Sequence, residues 1–233
     1  MQNCFRALAK RVGSEFCDVS NYSEFYQSDN QVCTYLSDIA YSESPRIIFD
    51  GHSRFGLAEC LPVARFKGFK VIRNPVDLIS SAANYHVWSK EAWLHRPRKD
   101  FDGMTYHQKI NALNTANERY RFEMKNSSFY EIRKMADNRL SENLARVKYE
   151  DLISDTEMTL FSHLLDSSGF SETEIGIGKA VFWDNSLFGS LDPANIKHIQ
   201  NKKRQKYGKD WAELTWLEYE KIISPYAIKC GYK

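Results

Sequence analysis

The residues best suited to chemistry begin with Arg73 and Ser81, in the stretch FKVIRNPVDLISSAANYH at positions 69–86. A permanent cation follows the apolar run Phe69-Lys70-Val71-Ile72, and Asn74-Pro75 then open a segment with helical spacing. A helix N-terminus offers backbone N–H groups and a partial positive charge to an anion, and ligands of open α/β sheets bind beyond the carboxyl ends of strands. Ser81 lies seven positions after Asn74, close to two turns, so it returns to the same face roughly 10 Å along the axis. Arg73 and Ser81 can therefore hold one phosphate jointly. The alternative is an arginine salt-bridged at a strand end and a serine packed on a helix.

Four further stretches carry reactive side chains. In RIIFDGHSRFGL, His52 follows an apolar run by three residues; a histidine at a strand end can serve as a base near neutral pH, or it can simply be a solvated loop residue. In VKYEDL, Tyr149 precedes Glu150 and Asp151, a pair that suits capping or a structural arginine better than paired-carboxylate catalysis. NKKRQKYGKDW places Lys202, Lys203, Arg204, Lys206 and Lys209 close together. Such a run is either a solvated face or a segment that closes over a polyanion. EIGIGKAV, residues 174–181, lacks the GxxxxGK[ST] spacing of a phosphate-binding loop and reads as the run from a loop into a helix.

The elements that must position these groups follow from periodicity. Arg46–Phe49, Phe69–Ile72 and Arg146–Tyr149 are short apolar runs between segments of helical spacing, the pattern of parallel strands joined by crossover helices. Helices are predicted over 2–12, 23–40, 75–86, 105–126, 128–139, 156–167, 193–203 and 211–223, so an α/β layout dominated by helix is expected. Asn74-Pro75 and Asp192-Pro193 each pair an N-cap with a proline in the first turn. Residues 94–104, rich in charge, proline and glycine, are expected to form the most mobile loop.

Composition bounds the function. The 233 residues suffice for one domain with a real core, at 42% apolar and 14% aromatic content. Lysine and arginine total 32 against 30 acids, which excludes a strongly cationic nucleic-acid coat and makes any anion site local. Five scattered cysteines without a CxxC pair suggest reduced thiols in a cytoplasmic compartment. No run approaches the roughly 18 apolar residues of a membrane span, and no signal-peptide pattern opens the chain.

In order and content, IIFDGH, VIRNPVDLISS, VKYEDL and the basic segment ending in GKDW resemble the sulfotransferases that use 3′-phosphoadenosine 5′-phosphosulfate (PAPS). Arg73, Asn74, Pro75, Asp77 and Ser81 match that family's 3′-phosphate signature, and the resemblance runs from about residue 2 to residue 215. It implies a helix-rich three-layer sandwich around a short parallel sheet, of the P-loop NTPase-like sulfotransferase fold. It further implies that Arg73, Ser81, Arg204 and Lys203 bind the 3′-phosphate, that Tyr149 lies by the adenine, and that His52 is the catalytic base. No metal is required when cationic side chains and N–H groups stabilise the transferring group.

The acceptor is expected to be a small molecule or carbohydrate carrying a hydroxyl or amine, bound by segments 53–65 and 88–104. Trp88, Trp93, His95 and Arg98 either line that site or are structural. Two departures from the family stand out. Arg204-Gln205-Lys206 replaces the usual Arg-Lys pair closely followed by glycine. The family's first strand and its phosphosulfate loop of PKSGTTW type have no counterpart, and Met1–Leu8 resembles the helix after that loop. The chain is thus expected to be an N-terminally shortened family member with little or no turnover as it stands. The competing expectations are a 3′-phosphonucleotide-binding module without chemistry and, less favoured, an ATP-dependent phosphotransferase.

Overall fold

The computed structural model describes residues 1–19, 34, 37–38, 46–51, 67–137, 144–186, 189 and 208–232. The backbone groups into two compact units. One comprises Met1–Ile72 with Asp137–Arg204, the other Arg73–Ala136 with Gln205–Lys233.

The first unit opens with α1 (Gln2–Val12), whose Phe5, Leu8, Ala9 and Val12 recur at helical spacing. Lys10 and Arg11 in the last turn suit the negative end of the helix dipole, and Gly13, at φ 71°, ends it in the left-handed conformation that glycine adopts at little cost. Two parallel strand pairs follow. β1 (Glu15–Asp18) pairs with β2 (Arg46–Phe49), and β3 (Gly68–Ile72) pairs with β4 (Leu144–Lys148). The three expected strands are present as parallel strands, but among the described residues they belong to two two-stranded ladders rather than one sheet. β1 was not foreseen, because EFCD is short and half charged.

Among the described residues this unit further holds α6 (Tyr149–Leu152), α7 (Thr159–Ser167) and α8 (Glu172–Asp184), which pack with α1. Their apolar faces share a core in which Phe5, Leu8, Leu165 and Val181 are buried and Phe161 stacks on Phe182 with ring centroids 4.0 Å apart. Gly176-Ile177-Gly178-Lys179 lies inside α8 rather than at its start. A Ser171–Glu174 capping box begins that helix upstream, and Gly178 lets Leu165 and Leu8 approach its backbone.

The second unit is helical: α2 (Pro75–His86), α3 (Tyr106–Asn111), α4 (Ala116–Lys125), α5 (Ser127–Met135), α9 (Glu213–Ile222) and α10 (Ser224–Lys229). The single helix predicted over 105–126 is two, since Thr115 and Glu118 form a second capping box that starts α4 afresh. The segment 94–104 holds two 3₁₀ turns, and its Leu94 and Phe101 are buried with Tyr106 and Ile110, so the loop expected to be mobile carries a small core. The predicted helices at 23–40 and 193–203 and the Asp192 cap fall largely or wholly outside the described residues.

A buried polar cluster ties this unit together. The fully buried Glu123 carboxyl accepts from Tyr106 Oη at 2.9 Å and Ser128 Oγ at 2.8 Å, and lies 2.7 Å from His86 Nδ1. Burial and the Glu123 carboxyl both push the Tyr106 phenol well above its usual range. Removing the common acceptor strands three donors, so Glu123→Ala should lower unfolding stability by about 3–5 kcal/mol in urea titrations, and Glu123→Gln by clearly less. In the first unit, burial raises the Cys4 thiol from the usual 9.0 to about 11. The folded state thus favours the neutral thiol. This contribution is complete below pH 9 and lost as pH rises through about 11, and Cys4→Ala should flatten that part of a stability–pH profile.

Candidate functional site

The junction between β3 and α2 is built as expected. β3 ends at Ile72, Arg73 and Asn74 follow, and α2 starts at Pro75. Asn74 is the N-cap: its Oδ1 accepts from Val76 N–H at 2.9 Å, and its carbonyl accepts from Leu78 N–H at 2.9 Å. Proline at the first helical position has no N–H to satisfy and a φ suited to the helix. Asp77 places a carboxylate in the first turn, where the dipole favours it. Arg73, half-buried, is thus the residue immediately before a capped helix start.

Two serines sit on α2, and the structure separates their roles. Ser80 is fully buried and its Oγ accepts from Trp211 Nε1 at 3.0 Å. Ser81, one position on and about 100° around the helix, is half-buried and keeps the two-turn relation to Asn74. The seven-residue spacing therefore selects the less buried of the two serines.

Trp211 also explains the GKDW end of the basic segment. Its indole stacks on Tyr120 at 5.6 Å, and Asp210 Oδ2 accepts from Tyr120 Oη at 2.8 Å. Asn117 completes the dock, donating to the Asp210 carbonyl at 3.1 Å and accepting from Ala212 N–H at 2.7 Å. Gly208 has φ 90°, and a Cβ there would meet Val76 Cγ1 at 3.0 Å and the Trp216 ring at 3.1 Å. The segment leaving the basic run is thus fastened against the first turn of α2, close to the cap. None of these partners was anticipated, because they lie some 90 to 130 positions apart.

On the first unit, Tyr149 is the first residue of α6, directly after β4. The β3–β4 register pairs Ile72 with Lys148, so the carboxyl ends of the two parallel strands coincide. Glu150 and Asp151 occupy the first turn of α6, a placement that suits the helix dipole; the cap onto α7 comes instead from Asp155, whose Oδ2 accepts from Phe161 N–H at 2.8 Å. His52, Lys203 and Arg204 lie outside the described residues.

No family model, curated protein or solved structure matches the chain. Among the described residues no helix is long and apolar enough to cross a membrane.

Two substitutions test the geometry. Asn74→Ala should cost about 0.5–2 kcal/mol through the lost cap. Gly208→Ala should cost roughly 1–3 kcal/mol, because the new side chain must hold a left-handed conformation against Val76 and Trp216. Both are read from chemical denaturation.

Proposed function

We propose that this chain binds PAPS and is a sulfotransferase acting on a hydroxyl or amine acceptor. The observation that carries the reading is the junction itself: a parallel strand running out into Arg73, an Asn74 cap, Pro75 at the first helical position, and a half-buried Ser81 two turns along. A guanidinium and a hydroxyl beside a helix N-terminus suit a dianionic phosphate, since charge-assisted and bidentate hydrogen bonds are the strong ones. Tyr149, directly after β4, is an aromatic ring of the kind that stacks on a purine.

In this assignment Arg73 and Ser81 hold the 3′-phosphate, with Arg204 and Lys203 as further cations, and Tyr149 lies by the adenine. The cosubstrate supplies an activated sulfuryl group, whose sulfur–oxygen bond to the 5′-phosphate breaks as the acceptor attacks. His52 takes the acceptor proton. Positioning and charge compensation then suffice without redox chemistry.

The test is a thermal-shift comparison followed by an assay. Adenosine 3′,5′-bisphosphate should raise Tm, since saturation at 100 times Kd is worth about 2.7 kcal/mol. ATP should do far less, and the shift should fall to that given by adenosine 5′-phosphate in Arg73→Ala and shrink in Ser81→Ala. Acceptor-dependent release of adenosine 3′,5′-bisphosphate from PAPS, at the low turnover expected from the sequence, completes the reading. Binding without any turnover would favour the non-catalytic phosphonucleotide-binding module, and a preference for ATP would overturn the proposal.

A further inference from the structure

His95 and His107 are opposed in the second unit by backbone geometry. Pro97 and Thr105 form an antiparallel bridge, and the turn beyond it closes through Asp102 and Gly103, both at positive φ. His95 ends the 3₁₀ turn Ala92–His95 and His107 lies in the first turn of α3, each two positions beyond the bridge. Their rings lie 4.6 Å apart between centroids and are tilted by 37°.

Hydrogen bonds define the tautomer of each ring. His95 Nε2 lies 3.0 Å from the Ser89 carbonyl, and His107 Nε2 lies 3.0 Å from the Val87 carbonyl. A carbonyl oxygen only accepts, so both Nε2 atoms carry the proton and both Nδ1 atoms present lone pairs. The two carbonyls are two residues apart on one segment, which turns both Nδ1 atoms away from that segment. Asn111 Nδ2 also donates to the Val87 carbonyl at 3.1 Å, further fixing the acceptor that orients His107.

This is the outer-shell arrangement of metal-ligating histidines, whose second ring nitrogen donates to a carbonyl and thereby fixes the ring. The geometry points to a two-imidazole site for a divalent transition metal, with His95 Nδ1 and His107 Nδ1 as ligands. Metal–nitrogen bonds of about 2.0–2.1 Å put each ring centre about 3.2 Å from the ion. Two such rings at a right angle would have centres about 4.5 Å apart, and at a tetrahedral angle about 5.2 Å. The observed 4.6 Å lets two imidazoles share one ion, and Cu²⁺ binds nitrogen sites most tightly of the first-row divalent ions.

Among the described residues no cluster of three or more His, Cys, Asp or Glu side chains occurs, so these supply no third ligand of that kind. The proposed sulfuryl transfer gives neither histidine a role in cosubstrate binding or proton transfer.

The test is Cu²⁺ titration of the full chain by calorimetry, with electron paramagnetic resonance to count coordinated nitrogens. One equivalent should bind with two imidazole nitrogens, Ni²⁺ should bind more weakly, and Mg²⁺ should not compete. His95→Ala and His107→Ala should each weaken this binding by more than the roughly 10–100-fold that loss of an outer-shell partner costs, with unchanged circular dichroism. In the unmodified protein, bound Cu²⁺ should protect His95 and His107 together from diethylpyrocarbonate, read by mass spectrometry. Equal Cu²⁺ affinity in the double variant, absence of joint protection, or no binding by the wild type would overturn the assignment.

Discussion

Asn74 fixes the point at which strand becomes helix, and the candidate phosphate site depends on that point. Its side chain takes the Val76 N–H while its carbonyl starts the helical ladder at Leu78, so the turn from β3 into α2 is completed within three residues. With a later start, Ser81 would leave the face it shares with Asn74; with an earlier one, Arg73 would be drawn into the helix. The cap is worth only about 0.5–2 kcal/mol, yet it sets the register of every side chain on α2.

That register is read by a segment far away in the chain. Ser80 faces inward and is satisfied by Trp211, and Gly208 lies against Val76. The same helix thus uses one face to hold the segment that follows the basic run, while Ser81, about 100° around, is half-buried. The aromatic stack of Trp211 on Tyr120 and the Asn117 and Asp210 hydrogen bonds make this a specific dock rather than a loose apolar contact.

Much of the local order was legible in the sequence for identifiable reasons. The Asn-Pro start of α2, the apolar rows of α1 and the three strand runs are written in neighbouring residues, and local rules suffice for them. Less visible were features that require a partner distant in the chain. Which of two adjacent serines is buried depends on Trp211, and Glu123 acquires its meaning only when Tyr106, Ser128 and His86 converge on it. The His95–His107 contact flanks the Pro97–Thr105 bridge, which no periodicity announces. The break between α3 and α4, by contrast, was written in Thr115-x-x-Glu118 and was masked by an apolar row that continued across it.

The central claim is that Arg73 recognises a phosphate on the 3′ position of an adenosine nucleotide. Its most direct measurement is a calorimetric cycle with two ligands, adenosine 3′,5′-bisphosphate and adenosine 5′-phosphate, on the wild type and Arg73→Ala. The account predicts that the wild type prefers the bisphosphate by about 10–100-fold, the range of a charged hydrogen bond of about 1.5–3 kcal/mol, and that the preference collapses toward unity in Arg73→Ala while 5′-phosphate binding is retained. An equal preference in both proteins would contradict it.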